Sequence, residues 1–317
     1  MKPILKFSLL LCLLLIVIAL FLFYKVDLSN DYAISKRSIR LFSMLIVGCS
    51  VAYSSILFQT ITNNRILTPS IMGYEAIFIL FQTLIVFIYG DRAFQVINQQ
   101  ENFVYAVILM LGFSLLIYFL MFGKDKKSMY YLLLTGMVFG TLFMTMSQFL
   151  HVLIDPNEFS MVQNFMFVSF AKMNTKLLSI AAITMLAAIT YISFNLRYLD
   201  VIALGKDHAI NLGVDYNKMI KRFLICITLL VSVSTALVGP ITFLGILVCN
   251  LTYELFKTRK HQFMLPICAV IAALCLVLGQ FLVEQVIGFT TTVSIIINFI
   301  GGIYFMYLLW LTRKRIS

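Results

Sequence analysis

The sequence predicts an all-α fold, a polytopic bundle of about ten membrane-spanning helices with both termini in the cytoplasm. The prediction depends on the composition, on the positions of the apolar runs and on the distribution of the basic residues. Of the 317 residues, 62% are hydrophobic and 12% are charged, and the mean hydropathy is +1.00. Because a soluble domain carries about 25% charged residues, lipid must be the solvent for most of this chain. No polar stretch is long enough to fold separately, so residues 1–317 form one integral membrane domain.

The apolar runs predict the spans, since a helix needs about 20 mostly apolar residues to cross a bilayer. The first run follows Lys2 and Lys6. It has no small-residue cleavage site, so we expect a retained span rather than a signal peptide. The predicted spans are residues 5–24, 38–60, 70–90, 102–122, 129–150, 176–195, 223–238, 241–256, 264–285 and 293–312.

The run over residues 223–256 is too long for a single span. As one helix it would measure about 51 Å, whereas the bilayer core is about 30 Å thick. Gly239-Pro240 interrupts the run midway, and basic residues flank both of its ends. We therefore predict a tight hairpin of two short helices, 223–238 and 241–256.

The basic residues indicate the orientation of the spans. With both termini inside, most of the 24 Lys and Arg residues fall in cytoplasmic segments, as the positive-inside rule requires. The predicted outer face carries one basic cluster, formed by Lys36, Arg37 and Arg40. The formal net charge of +11 thus reflects loops beside a lipid bilayer, and we expect no nucleic-acid partner.

The residue types that carry enzyme chemistry do not form a recognisable site. The six cysteines lie in apolar runs without paired spacing, which is typical of small buried hydrophobes. The three histidines, His151, His208 and His261, are expected in loops, away from any Cys or acidic pair at ligand spacing. Gly123-Lys124 and Gly205-Lys206 lack the rest of the nucleotide-binding pattern G-x-x-x-x-G-K-[ST]. We predict no catalytic residue, no metal ligand and no cofactor. If ATP drives this protein, another chain must hydrolyse it.

Three stretches, taken in order, carry a resemblance to a known family. The first begins with R-x-x-R at residues 37–40 and continues through a Gly/Ala/Ser-rich span to Gln59, Asn64, Pro69 and Gly73. Residues 204–214 read L-G-K-D-H-A-I-N-L-G-V, and residues 238–248 read V-G-P-I-T-F-L-G-I-L-V. Together they resemble the permease subunits of the ATP-driven importers of iron siderophores and vitamin B12. The spans follow in the expected order from about residue 37 to residue 312.

The chain also departs from the pattern of that family. Cys249-Asn250 stands in place of Pro-His, and Asn64-Arg65 stands in place of Asn-Pro. Glu284 lies where the family can carry a basic residue. These departures are typical of a divergent branch, for which we expect a catecholate-type ferric siderophore as cargo.

The resemblance implies a function and a set of partners. The chain would be the multi-pass permease subunit of a ferric siderophore importer in the cytoplasmic membrane of a bacterium, and not itself an enzyme. A separate cytoplasmic subunit would hydrolyse ATP, and an extracytoplasmic siderophore-binding protein or lipoprotein would deliver the cargo. A second permease chain, identical or different, would complete the pathway.

The resemblance also implies roles for particular residues. Arg37 and Arg40 share a helix face and would dock the binding protein, although they could instead anchor the span end at lipid headgroups. A segment over about residues 203–214, with a short helix between its two glycines, would couple the permease to the ATPase, although it could be a simple connector. The predicted coupling residues are Leu204, Gly205, Lys206, Asp207, Ala209, Leu212 and Gly213.

Polar residues in or beside the spans are candidates to line the translocation pathway, although many such groups only bond neighbouring helices. These candidates are Gln59, Asn64, Asn250, Gln280 and Asn298. Glu75 is expected at the membrane interface, near the inner end of the third span.

Other functions remain open at this stage. Vitamin B12 or haem is an alternative cargo within the same class. An ion-coupled secondary transporter would need charges buried in the middle of the spans. A membrane enzyme would need His, Asp, Glu or Cys side chains gathered at one aqueous surface. The sequence shows neither pattern.

Overall fold

The structure is a computed structural model that describes residues 3–25, 31–122, 129–170, 173–258, 260–288 and 291–316. Throughout these residues the regular structure is helical, which confirms the predicted all-α class. Lys2 and the Gly123-Lys124 pair lie outside the described residues. The α-helices are α1 (Pro3–Phe23), α2 (Asp31–Thr62), α3 (Tyr74–Tyr89), α4 (Ala93–Val96), α5 (Gln99–Phe122), α6 (Met129–Leu153), α7 (Pro156–Met166), α8 (Thr175–Phe194), α9 (Leu196–Ile202), α10 (Lys206–Asn211), α11 (Tyr216–Val238), α12 (Leu244–Leu255), α13 (His261–Gln285) and α14 (Val293–Ile316).

Every predicted span coincides with a helix. In the described part of the chain, eight helices are long and apolar enough to cross a membrane, namely α1, α2, α3, α5, α6, α8, α11 and α13. The shorter apolar helices Leu244–Leu255 and Val293–Tyr307 occupy the positions of the eighth and tenth predicted spans. Short elements at α4, α7, α9 and α10 fill the connections.

The hairpin over residues 223–256 differs from the prediction of two short helices. The interruption lies at Gly239, directly after the end of α11. However, α11 begins at Tyr216, where Asp215 caps it by accepting a hydrogen bond from the backbone N–H of Lys218 at 3.2 Å. It therefore has 23 residues and measures about 34 Å. The predicted span began at residue 223, after the charged residues Lys221 and Arg222. The observed helix includes both of them. The Lys221 side chain reaches over the ring of Tyr118, with Nζ 5.2 Å from the centroid.

The helix α12 has only 12 residues and measures about 18 Å, so it crosses little more than half of a bilayer core. The connection before it compensates for the missing length. Phe243, at the start of α12, packs against Gly301, eight residues into α14. Segment 239–243 therefore enters the bundle before α12 begins.

The centre of the bundle is α2, the most buried of the spans. It packs along α13 so closely that a Cβ added at Gly48 would lie 3.1 Å from the backbone nitrogen of Ala273. Small residues permit this approach, which is a principal source of helix association in lipid. Around this pair lie α1, α8, α11, α12 and α14, each in contact with α2 or α13.

Contacts between helix ends show that the residues predicted to be cytoplasmic gather at one end of the bundle. Lys6, near the start of α1, donates from Nζ to the backbone carbonyl of Leu255, at the end of α12, over 2.9 Å. Asp200 and His261, from α9 and α13, meet at the same end as Thr60 of α2. We call this the inner end and the opposite one the outer end.

A second close contact joins α6 to the segment that precedes α3. Residues Pro69–Met72 form a 3₁₀ turn. A Cβ added at Gly136 of α6 would lie 2.9 Å from the Cα of Met72, and Gly73 and Gly140 approach one another equally closely. No side chain fits between these backbones.

Gly136→Ala is expected to destabilise the protein by about 1–3 kcal/mol, because the added methyl group overpacks a rigid backbone contact. The control is Gly112→Ala in α5, where no atom lies within 4 Å of the added carbon. Alanine there should be neutral or slightly stabilising, since it is the better helix former. The free energy of unfolding in detergent micelles measures both effects. Equal stability of the two variants would contradict the packing described.

Candidate functional site

At the outer end, Arg37 binds the end of α1. Its Nη1 donates to the backbone carbonyls of Phe21 at 2.8 Å and Tyr24 at 3.0 Å. These carbonyls belong to the last turn and the end of α1, which have no helical partner of their own. Arg37 therefore caps α1 and holds it beside α2.

Arg40, one turn further along α2, forms an ion pair with α13. Its Nη1 lies 3.2 Å from Oε1 of Glu284, and the same oxygen accepts a hydrogen bond from Gln280 at 2.7 Å. The Glu284 side chain is 5% exposed and that of Arg40 is 23% exposed. The acidic residue that departs from the family pattern is thus the partner of the predicted docking arginine. Docking by Arg37 and Arg40 stays a prediction, and both side chains already have partners within the chain.

At the inner end, the predicted short helix is confirmed as α10, between Gly205 and Gly213. Gly205 has φ +101° and Gly213 has φ +79°, conformations that favour glycine. Val214 N–H donates to the carbonyl of Ala209, and Gly213 N–H donates to that of Ile210, which completes a Schellman motif. Backbone bonds also continue from α9 through Leu204 to Gly205. The coupling segment is therefore one hydrogen-bonded unit with α9.

The surface of this unit is unusually apolar for a segment outside the spans. Leu204 is 59% exposed, Ile210 is 50% exposed and Leu212 is 62% exposed. Ala209 is buried, whereas Lys206 and Asp207 are exposed. Exposed apolar side chains that are grouped in this way mark a surface for binding another protein.

Three of the predicted pathway residues meet at the inner end. Tyr253 donates from its hydroxyl to Oε1 of the buried Gln59 at 3.0 Å. Asn250 donates to the backbone carbonyl of Arg65 at 3.3 Å, and the Arg65 guanidinium lies 4.8 Å from the ring centroid of Tyr253. Gln59 and Asn64 line a cavity of about 330 Å³ together with Thr60, Asn63, Arg65, Ala203, Tyr253, Thr258, His261 and Met264.

The other two candidates lie apart from that cavity. Gln280 belongs to the outer ion pair described above. Asn298 lies on α14, and its Oδ1 is buried with no hydrogen-bond partner among the described residues. The five residues do not form one continuous lining within a single chain.

Glu75 forms a joint that sequence reasoning did not predict. Oε1 accepts a hydrogen bond from Ser70 at 2.7 Å, and Oε2 accepts one from Thr242 at 2.8 Å. Thr242 belongs to the connection before α12, so both carboxylate oxygens have partners within the protein. The joint fastens the 3₁₀ turn before α3 to the connection before α12. Such backbone is tolerated at membrane depth only where protein surrounds it.

The histidines also differ from the prediction, because each lies in a helix and not in a loop. His261, the first residue of α13, is 3% exposed. Its Nδ1 lies 2.5 Å from Oδ1 of Asp200, its backbone N–H donates to the same oxygen at 3.0 Å, and its Nε2 lies 2.8 Å from Oγ1 of Thr60. Sequence reasoning missed this bridge because its members are separated by 61 and 201 positions. Among the described residues, no group of three or more His, Cys, Asp and Glu side chains could hold a metal ion.

An apolar bundle with interrupted helices and polar joints at depth defines a helical membrane transport protein. A model of the FecCD transport family matches residues 5–311. The chain belongs to this family, and the resemblance seen in its sequence is confirmed.

Similar proteins agree with this assignment. The chain is 48% identical to the petrobactin import system permease protein YclO of Bacillus subtilis over 99% of both chains. It is 32% identical to the petrobactin import system permease protein FatC of Bacillus anthracis, over 89% of this chain and 79% of that protein. A solved metal-chelate type ABC transporter in an inward-facing conformation has the same fold, with a TM-score of 0.84 and 21% identity over 96% of this chain and 98% of the other.

The Arg40–Glu284 pair should show a measurable coupling energy. In a double-mutant cycle with Arg40→Ala and Glu284→Ala, we expect about 1–3 kcal/mol, because the bond is charge-assisted and its carboxylate is buried. Lys36→Ala with Glu284→Ala is the matched control, since Lys36 is exposed and lies over the ring of Tyr32. The free energy of unfolding in detergent provides the readout. A coupling energy near zero for Arg40 would show that the pair does not hold α2 to α13.

Proposed function

We propose that this chain is the membrane permease subunit of an ATP-driven importer of a ferric siderophore. The observation that carries the proposal is the 48% identity to a petrobactin import permease along the whole of both chains. Petrobactin in its ferric form is therefore the first cargo to test. The permease has no part in ATP hydrolysis, which falls to a separate cytoplasmic subunit, and it works in the cytoplasmic membrane of a bacterium.

The coupling segment supports the proposal at the inner end. Leu204, Ile210 and Leu212 present apolar surface beside the charged Lys206 and Asp207. A protein partner would bury these three apolar side chains. Without a partner they would stay exposed to water, which is unfavourable in free energy. We assign this surface to the ATP-binding subunit, whose movement it would pass on to the bundle.

The outer end supports the delivery of cargo by a binding protein. Lys36 is exposed there, and Arg37 and Arg40 lie along the same helix. A binding protein with acidic contact residues would be attracted to this cluster. Because Glu284 already neutralises Arg40, we assign the main attraction to Lys36 and Arg37.

A second permease chain would complete the pathway. The candidate polar residues do not form a continuous lining within one chain, and α6 and α14 keep much of their apolar surface exposed. Two copies, or this chain and a related one, would enclose a passage between such faces. The passage would admit a large chelate, and the binding protein would select it.

Uptake into proteoliposomes tests the function. The vesicles would contain this chain with its partner permease and ATPase, and the binding protein would be added outside with ferric petrobactin, haem or cyanocobalamin. We expect iron to accumulate only with ferric petrobactin and only when ATP is present inside. Uptake driven by a proton or sodium gradient without ATP would contradict the proposal, as would a preference for haem or cyanocobalamin.

The coupling surface gives a prediction that can be checked without cargo. Replacing Leu204 and Leu212 together by serine should weaken capture of the partner ATPase by about tenfold or more, because each buried leucine contributes about 1.5–3 kcal/mol. Asn211→Ser, an exposed polar change in the same segment, is the control. Titration of the purified ATPase onto permease in nanodiscs measures the affinity. Equal affinity of the two variants would exclude this surface as the docking site.

A further inference from the structure

We infer that α2 and α13 form one mechanical unit that carries the movement of the coupling segment to the outer docking surface, with the Asp200–His261–Thr60 bridge as its inner attachment. The inference rests on the proposed function, since it assumes that an ATPase moves the coupling segment. It assigns positioning roles to three residues, Asp200, His261 and Thr60, that the sequence analysis gave no role in transport.

The bridge begins with Asp200 of α9. Backbone hydrogen bonds join α9 directly to the coupling segment, from Ala203 to Leu199 and from Gly205 to Ile202. Asp200 must therefore follow any rigid displacement of that segment.

The second step passes from α9 to α13. Lys260, which precedes α13, makes no side-chain cap. Instead, Oδ1 of Asp200 accepts from the backbone N–H of His261, so a carboxylate from another helix caps the N-terminus of α13. The negative charge at this end also interacts favourably with the helix dipole. The imidazole Nδ1 of His261 binds the same oxygen, which fixes the direction of the ring.

The third step passes from α13 to α2. With Nδ1 bound to Asp200, the other ring nitrogen lies 2.8 Å from Oγ1 of Thr60, whose hydroxyl can donate to this nitrogen or to the backbone carbonyl of Ile56, also 2.8 Å away. The imidazole is almost completely buried, so water competes little for this bond. The coupling segment is thus tied to both helices within three hydrogen-bonded residues.

The two helices then extend as a pair to the outer end. They touch through the backbone at Gly48, where no side chain can intervene. At the far end, the Arg40–Glu284 ion pair ties them again. The pair α2–α13 is therefore fastened at the inner end, in the middle and at the outer end. A displacement at Asp200 would reach Arg37 and Arg40 as a movement of one body.

Threonine 60 allows the bridge to be cut with little damage to the fold. Thr60→Val keeps the shape of the side chain and removes the hydroxyl, whereas Thr60→Ser keeps the hydroxyl. The matched control is Thr62→Val, because the Thr62 hydroxyl bonds only carbonyls of its own helix, at Phe58 and Gln59. Each variant would be reconstituted with its partner permease, ATPase and binding protein. The measured quantities are ATPase capture, ATP hydrolysis and ferric petrobactin transported per ATP.

For Thr60→Val we expect normal ATPase capture and a drop of about fivefold in cargo transported per ATP, the factor for one hydrogen bond of about 1 kcal/mol. Thr60→Ser and Thr62→Val should transport as the unmodified protein does. Asp200→Asn should also transport, since its Oδ1 remains an acceptor, whereas Asp200→Ala should lose coupling as Thr60→Val does.

Equal coupling in Thr60→Val and Thr62→Val would overturn the inference, and so would a loss of ATPase capture in Thr60→Val. Either result leaves the proposed function intact, provided that the unmodified complex imports iron with ATP. Failure of the unmodified complex to do so would instead refute the proposed function.

Discussion

The backbone contact between α2 and α13 at Gly48 determines the arrangement of the rest of the bundle. Inside a bilayer, apolar side chains are already out of water, so packing them against another helix gains no hydrophobic free energy. Helices there associate through close packing and polar bonds. Here both are present along one pair, with small residues in the middle and polar ties at each end. The helices α1, α8, α11, α12 and α14 pack against this pair, whereas α3, α5 and α6 lie beyond α11. Both predicted partner surfaces are attached to the pair. A single rigid axis therefore joins the two faces of the membrane.

Interrupted helices add a second constraint. The connection before α3 and the connection before α12 both enter the bundle, where unpaired backbone groups would cost several kcal/mol each. Glycine contacts at Gly73, Gly136 and Gly140 enclose the first connection, and Glu75 joins it to the second. A carboxylate at this depth would be costly without partners, and the hydroxyls of Ser70 and Thr242 supply them. The joint holds the short helix α12 in register with its longer neighbours.

The sequence predicts the structure best where local properties restrict the backbone, as helix length does in a bilayer. Apolar runs predicted each span, and two glycines predicted the limits of α10, because helix length and glycine geometry are local properties. The unequal hairpin α11–α12 was not predicted. A charged residue such as Lys221 can lie within a helix when its long side chain packs over a neighbouring ring, here that of Tyr118. Contacts between residues that are far apart in the sequence could not be predicted either. Nothing in the spacing of Asp200, His261 and Thr60, or of Arg40 and Glu284, indicates that they meet. Only the packing of the helices shows this.

Distances between spin labels at or next to the ends of α2 and α13 test most directly whether these helices move as one body. Label pairs at Ser35 with Val286 and at Asn63 with Gln262 report on the outer and inner ends, at exposed positions, in a cysteine-free background. Pulsed electron paramagnetic resonance would compare the assembled transporter without nucleotide and with ATP trapped. Both distances should remain the same in the two states. A change in either α2–α13 distance on ATP binding would contradict the claim that these helices move as one body.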